Sequence, residues 1–395
     1  MKRIEGDWLA KPSLRTLFDV LGDCNTPVRV NGGAVRNALL GEPVADVDIS
    51  TPLLPAETMR RLKAAGHKAV PTGLDHGTVT AVVDGDAYEV TTLRRDVETD
   101  GRRAVVAFTT DWREDALRRD LTMNALYCDP DGAVFDPLDG LSDVERRVVR
   151  FVEDADRRIR EDRLRILRFF RFFAWYGQHR PDADGLKACA RQRDGIAALS
   201  AERIWAEFSK LLAAPDPTRA VLWMRQTSVL KEVLPEGDKW GIDNLAPLIA
   251  AEVEHGWKPD AMLRLMAILP PAEPTMAALS KRLKLPNLAR DRLKKWSATP
   301  LPPIEDEHAF ARTLYRADRQ ALVDRLRLAI SKGENREAML VQALTWERPT
   351  FPLRGADLIA QGMDAGPEVS KRLAELEERW INSDFKASGE SLLEA

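Results

Sequence analysis

The rhythm of apolar and polar residues changes once along this chain, near residue 150. Before that point short β-rich runs alternate with helix-forming stretches. After it, helical periodicity punctuated by Pro and Gly runs to the C-terminus, with no internal repeat. Val28 to Asn31 predicts a strand, Gly32 and Gly33 break it, and Ala34 to Leu40 predicts a helix stopped by Gly41 and Pro43. Val47 to Ser50 alternates as a strand, and Pro55 to Ala65 predicts a helix with Pro at its start. Thr78 to Val83 and Ala87 to Leu93 predict a hairpin across Asp84-Gly85-Asp86, and Leu126 to Phe135 predicts another turning at Asp129-Pro130-Asp131-Gly132. Between Arg95 and Asp111 the pattern weakens to a mobile loop or a long hairpin. The expected fold is α+β, with a small mixed sheet over residues 1–150 and an all-α remainder. Boundaries are expected near Phe151 and near Pro215, where Ala213-Ala214-Pro215-Asp216-Pro217 interrupts a long helical pattern.

Composition adds exclusions. At 395 residues and 44% hydrophobic content the chain can build a sizeable core without staples. Cys24, Cys128 and Cys189 are scattered, odd in number and without metal-ligand spacing, which suits a reducing, cytoplasmic compartment. The amphipathic start through Trp8 and Lys11 lacks the apolar core of a secretion signal, and no apolar run approaches a membrane span, so no membrane partner is expected. A net charge of −3 argues against coating nucleic acid by bulk electrostatics. Yet Val144 to Arg171 holds ten arginines against six acids, which makes this segment the first candidate for a phosphate-facing surface.

The chemistry gathers at Asp46 and Asp48. Two apart in an alternating segment, they would point to one face of a strand and could hold hard divalent cations together. Such a pair alone is equally a solvated strand end. Upstream, Gly32-Gly33 would let a triphosphate approach backbone amides at a helix N-terminus, and Arg36 in the first turn would supply a charged fork. The third glycine of a dinucleotide-binding loop is absent, and no Gly-Lys-Ser/Thr marks a P-loop.

Gly32-Gly33-Ala34-Val35-Arg36-Asn37-Ala38-Leu39-Leu40-Gly41 followed by Asp46-Val47-Asp48 resembles the first motif of the bacterial-type (class II) tRNA CCA-adding enzymes and related poly(A) polymerases. Tyr88 to Arg94, Arg118 to Leu126 and Asp136 to Asp143 are similar to the motifs that follow, Glu161-Asp162-Arg163-Leu164-Arg165 resembles the base-reading motif, and Ser200 to Leu212 resembles the next neck helix. The likeness covers residues 28–212. It departs at Asn37, where the family more often has Asp.

The resemblance implies a polymerase-β-like nucleotidyltransferase palm over 1–150, a helical neck over 151–213 and a helical body and tail over 214–395. It implies Mg²⁺ on Asp46 and Asp48, with Glu89 completing the acidic cluster as ligand or proton acceptor. Gly32, Gly33, Arg36 and Arg119 would contact the nucleotide, although Arg119 could equally pair with Asp115 or Asp120. Substrates would be CTP and ATP, and the partner the tRNA acceptor end. Cytosine and adenine both present an amine donor beside a ring-nitrogen acceptor, which a carboxylate and a guanidinium can match, whereas uracil and guanine reverse the order. Asp162 and Arg165 fit that need, their spacing of three predicts neighbouring turns of one helix, and Arg168 and Arg171 extend the ridge. The bland alternative is an arginine-rich helix solvated on one side. Lys281 to Trp296 and Arg312 to Arg327 are basic stretches that could follow RNA or merely be solvated. A poly(A) polymerase, an A- or CC-adding specialist and a silent RNA-binding homologue remain open. A His-Asp phosphohydrolase does not, since no histidine precedes an Asp.

Overall fold

The computed structural model describes residues 2–100, 103–237, 241–304 and 307–394. The chain forms two compact units, Met1–Asp238 and Lys239–Ala395.

The first unit is built on a seven-stranded mixed sheet. Its strands are β1 (Arg29–Asn31), β2 (Asp48–Thr51), β3 (Lys68–Gly73), β4 (Thr78–Val83), β5 (Asp86–Thr92), β8 (Tyr127–Cys128) and β9 (Val134–Phe135), in the order β3-β4-β5-β2-β1-β8-β9. All pairs are antiparallel except β2 with β5. Val79, Ala81, Val83 and Val90 alternate inward, and helices α1 (Pro12–Leu21) and α3 (Pro55–Ala64) bury Leu14, Leu17, Leu21 and Leu62 against them. The β4–β5 turn places Asp84 and Gly85 at φ 51° and 88°, the left-handed pair a two-residue hairpin needs. Of the two readings of the stretch after Arg94, the long hairpin is the one found, β6 (Arg94–Asp100) with β7 (Arg103–Phe108), residues 101–102 lying outside the described residues.

One expectation is corrected at β2. The strand begins at Asp48, and residues 42–47 approach it without regular structure, so Asp46 and Asp48 are not both strand residues. The ladder with β1 ends at Asn31 opposite Asp48, because Gly32 at φ 62° turns the chain into the next helix and leaves Asp46 no partner on β1.

Helix α2 (Gly33–Leu40) follows β1 directly, and α4 (Trp112–Leu117) and α5 (Leu141–Glu145) complete the head of this unit. Beyond it come α6 (Ala155–Glu161), α7 (Leu164–Tyr176), α8 (Ala183–Gln192), α9 (Ala201–Leu212), α10 (Thr218–Gln226) and α11 (Val229–Val233). Helix α7 buries Ile166, Phe169, Phe170 and Phe173, and Phe169 stacks on Phe151 with centroids 5.2 Å apart. A second correction falls here. Asp162 and Arg165 do not share a helix: Asp162 is extended (φ −150°, ψ 111°) at the break between α6 and α7, and its carboxylate caps the start of α7 by accepting from Leu164 N–H at 3.0 Å. A side chain that satisfies an orphan N–H at a helix start ends the preceding helix more favourably than continuing it.

Among its described residues the second unit forms helices and no strand, from α12 (Leu245–Glu254) to α21 (Gly389–Leu393). One core gathers Phe310, Leu314, Leu322 and Leu326, another Leu376, Trp380 and Tyr315. Much of the Arg312–Arg327 stretch is engaged within this unit: Arg312 binds Asp384 at 2.6 Å, Arg316 binds Glu378 at 2.5 Å, and Arg325 donates to Trp296 O at 3.1 Å. Among the described residues no helix is long and apolar enough to cross a membrane.

Candidate functional site

Two cavities of the first unit meet at Asp48, which lines both. The first, about 620 Å³, is acidic. The parallel register sets Asp48 opposite Glu89, so the two carboxylates leave adjacent strands on the same face, and Asp46 joins them from the preceding loop. Partial burial raises the Asp48 carboxyl above its ordinary value; Glu89 and Asp46 push the same way and Arg119 opposes them. Among the described residues no hydrogen-bond donor meets any of these three carboxylates, nor do three acidic, His or Cys side chains converge as a closed metal cage. That suits an ion held by one or two carboxylates with the rest of its coordination supplied by phosphate and water, which is how Mg²⁺ is commonly bound.

The second cavity, about 440 Å³, is lined by five arginines and three aspartates together with Gly32 and Gly33. Gly32 has φ 62°, and a Cβ there would stand 3.2 Å from Arg119 Nη1. Asparagine-rich walls fix the arginines. Arg119 donates to Asn31 Oδ1 at 3.0 Å, to Asn124 O at 3.2 Å and to Asp115 at 3.1 Å, so the expected ion pair with Asp115 exists alongside the cavity-facing position. Burial pushes the Asp115 carboxyl up, but Arg119, Arg118 and the Tyr127 hydroxyl outweigh it and hold it at about 2. Arg36 donates to Asn124 Oδ1 at 2.5 Å, to Tyr176 Oη at 2.9 Å and to Asn37 Oδ1 at 2.8 Å, and lies 4.2 Å from the Tyr176 ring centroid. Asn37 thus supplies as an amide the acceptor that a carboxylate would give, and its own Nδ2 donates to Pro43 O at 2.8 Å.

On the α7 side, Asp162 Oδ2 accepts from Arg203 at 2.6 Å. Arg165 donates to Glu161 at 2.5 Å, Arg158 O at 2.9 Å and Arg118 O at 3.1 Å. Arg168 binds Asp120 at 2.6 Å and Arg171 binds Glu207 at 2.5 Å. Burial raises the Asp120 carboxyl, yet Arg168 outweighs it and holds it at about 2. Among the described residues, Asp162, Arg165 and Arg168 line the cavity and Arg171 does not; it sits over Phe172, 4.3 Å from the ring centroid.

Sequence reasoning assigned no site role to Asn31, Arg118, Asn124, Arg203 or Glu207, although the last four lie within stretches that resemble family motifs; Asp115 was legible as a partner of Arg119 through its four-residue spacing.

An acidic edge at the start of β2 opening into an arginine-lined cavity beside a glycine turn is an arrangement that suits nucleotidyl transfer. Residues 28–150 match the "Poly A polymerase head domain", and 181–240 match the segment described as "Probable RNA and SrmB- binding site of polymerase A". The chain is 35% identical over 398 residues to the mitochondrial CCA tRNA nucleotidyltransferase 1 of Mus musculus, covering 96% of this chain and 88% of the relative; it belongs to the family of CCA-adding tRNA nucleotidyltransferases. The CCA-adding enzyme of Pediococcus pentosaceus is 33% identical, with 96% of each chain covered. Among solved structures, the Bacillus stearothermophilus CCA-adding enzyme in complex with CTP matches with a TM-score of 0.73 at 27% identity, covering 95% of this chain and 94% of that one. The Thermotoga maritima CCA-adding enzyme complexed with tRNA shares the fold at 19% identity, with a TM-score of 0.69 over 100% of this chain and 98% of that one.

Proposed function

We propose that this protein adds CCA to tRNA 3′ ends from CTP and ATP without a nucleic-acid template. The carrying observation is Asp48, shared between a carboxylate edge and an arginine-lined cavity. Residues 1–150 would bind the triphosphate and perform transfer, 151–213 would read the base, and 214–395 would carry tRNA.

Asp46 and Asp48 would hold Mg²⁺, which when bound stabilises charge on the transferring phosphoryl group and lowers the pKa of the attacking hydroxyl. Glu89, exposed and opposite Asp48 in the parallel register, would complete that set or take the hydroxyl proton. Gly32 and Gly33 admit the triphosphate close to the backbone, and Arg36 and Arg119 neutralise it. Asp162 spends two of its acceptor sites on Leu164 N–H and Arg203, leaving others for an exocyclic amine. Arg165 commits three of its five N–H donors among the described residues, so two stay available for a ring nitrogen. UTP and GTP would face donors with donors, a mismatch that costs most where water is excluded. Arg168 and Arg171 support this edge through Asp120 and Glu207.

The test uses tRNA transcripts ending before CCA, after C and after CC, with each NTP alone and with CTP plus ATP. Growth that stops after the final A is expected. An unbounded A ladder on generic RNA would overturn the reading in favour of a poly(A) polymerase.

A further inference from the structure

The two cavities differ in sign, and the reaction needs two different guests. The arginine-lined one balances five cations against three carboxylates; the other sets one lysine, Lys11, against Asp46, Asp48, Asp86 and Glu89. A triphosphate carries up to four negative charges and is repelled from the acidic cavity, whereas a ribose presenting a neutral hydroxyl is not. A volume of about 620 Å³ lies within the range that holds a nucleotide-sized ligand. Trp8 forms one wall of that cavity, and the segment carrying it is pinned from several sides. Ile4 N–H donates to Gly132 O at 2.8 Å, and Lys2 O accepts from Val134 N–H at 2.9 Å. Lys11 Nζ binds Asp86 Oδ1 at 2.7 Å, and Ser13 Oγ donates to Asp86 Oδ2 at 2.6 Å. The Trp8 ring itself lies on Gly6, where a Cβ would come within 2.8 Å of the indole nitrogen.

Resting on the nucleotidyltransferase reading, we propose that the acidic cavity receives the 3′-terminal nucleoside of the RNA, with the half-buried Trp8 stacking its base and Lys11 meeting the phosphate that precedes it. Stacking tolerates any base, as an enzyme that extends RNA ending in a variable base, in C and in CC requires. A lysine shared with Asp86 steers the chain without closing the site, because an exposed ion pair of this kind is weak and exchanges readily.

The test compares wild-type protein with Trp8→Ala, Trp8→Phe and Lys11→Ala, measuring KM for a tRNA transcript lacking CCA and KM for CTP separately. Trp8→Ala should raise the RNA KM by about tenfold, the scale of one lost base–aromatic stack, with CTP KM unchanged. Trp8→Phe should recover most of that loss, and Lys11→Ala should give a smaller, salt-dependent rise. A transcript with 2-aminopurine as its last base should lose fluorescence on binding the wild-type and Trp8→Phe proteins but not Trp8→Ala. An unchanged RNA KM in Trp8→Ala, a CTP KM that rises in step, or quenching that survives in Trp8→Ala overturns the assignment. Failure of the wild-type protein to extend any RNA removes the parent reading instead, so the two failures are distinguishable.

Discussion

The two walls of the site are built on opposite principles. Along the acidic edge Asp46, Asp48 and Glu89 stand exposed, with no hydrogen-bond donor reaching them among the described residues. Along the facing wall each of the five arginines is bound to a protein acceptor: Arg36 to Asn124, Arg118 and Arg119 to Asp115, Arg165 to Glu161 and Arg168 to Asp120. Clustered carboxylates left to themselves repel: the Asp48 carboxyl, raised first by its partial burial, is raised further by Glu89 and Asp46, and a cation would offset that repulsion. Long guanidinium chains left to themselves wander, and their partners fix direction before any nucleotide arrives. One wall is left without protein partners, as uptake of a cation would require; the other is paired in advance, as the proposed reading of a base would require.

Breaking the unsatisfied wall should have the largest effect. Asp48→Asn removes the residue common to both cavities and should lower kcat by about 10³-fold with little change in thermal stability, since no protein contact is lost. The check is single-turnover C addition beside a melting curve. In the wild type, Asp48 must lose its proton to hold a cation, so the Mg²⁺ concentration for half-maximal rate should climb as pH falls through a value above the ordinary carboxylate range. The stability sign is the reverse: a raised carboxyl binds its proton more tightly when folded, so without Mg²⁺ this one group favours folding at low pH and loses that contribution as pH rises.

Breaking the satisfied wall should instead unfold it. Asp115 is 1% exposed and holds Arg118, Arg119 and Tyr127 together. Asp115→Asn leaves two arginines without their counter-charge, and about 3 kcal/mol of stability should be lost, the scale seen when one partner of a buried pair is removed. With the folded carboxyl at about 2 and an unfolded reference near 3.9, its stabilisation is present above the unfolded value and disappears as pH falls towards 2. Denaturant midpoints measured at neutral and acid pH should therefore converge between wild type and variant at the acid end.

These walls were unequally legible in the sequence. The glycine turn, Arg36 and the Asp46-Asp48 pair could be read because each is local: a strand, a break and a helix within twenty residues. That Glu89 stands beside Asp48 could not be read from spacing, because the parallel β2–β5 pairing joins segments forty residues apart. Asp162 misled the periodicity argument because Arg165, Arg168 and Arg171 do follow helical spacing, and nothing in that run marks Asp162 as the cap that begins it. Arg203 and Glu207 read as ordinary positions of an amphipathic helix until α9 is packed on α7.

Asp162→Ala sharpens the comparison, because it leaves both the metal edge and the arginine anchors in place. Discrimination against UTP should fall by about 10²-fold while Mg²⁺ dependence stays as in the wild type, measured as kcat/KM ratios for the four NTPs. Arg203→Ala, which frees the Asp162 carboxylate without removing it, should lose a smaller part of the same discrimination. Unchanged nucleotide choice in both would sink the base-reading role.

The smallest effect concerns Asn37, where the satisfied wall relies on a neutral acceptor. Arg36 is buried, and burial together with repulsion from Arg171 weakens its hold on charge, while the nearby Asp120 helps it. Its only contacts at position 37 are to an amide oxygen, at 3.2 Å and 2.8 Å. Asn37→Asp would make those bonds charge-assisted, at the loss of the amide donor to Pro43 O. Since the guanidinium sits deeper than the Pro43 carbonyl, the gain should outweigh the loss by about 1 kcal/mol. The new carboxylate would be held below its ordinary value by Arg36, so the added stability should be present at neutral pH and vanish on acidification below about 4. A melting temperature that rises by a few degrees at pH 7 and matches the wild type at pH 3 is the expected result; a fall at pH 7 would show that Asn37 serves the loop leading to Asp46 more than it serves Arg36.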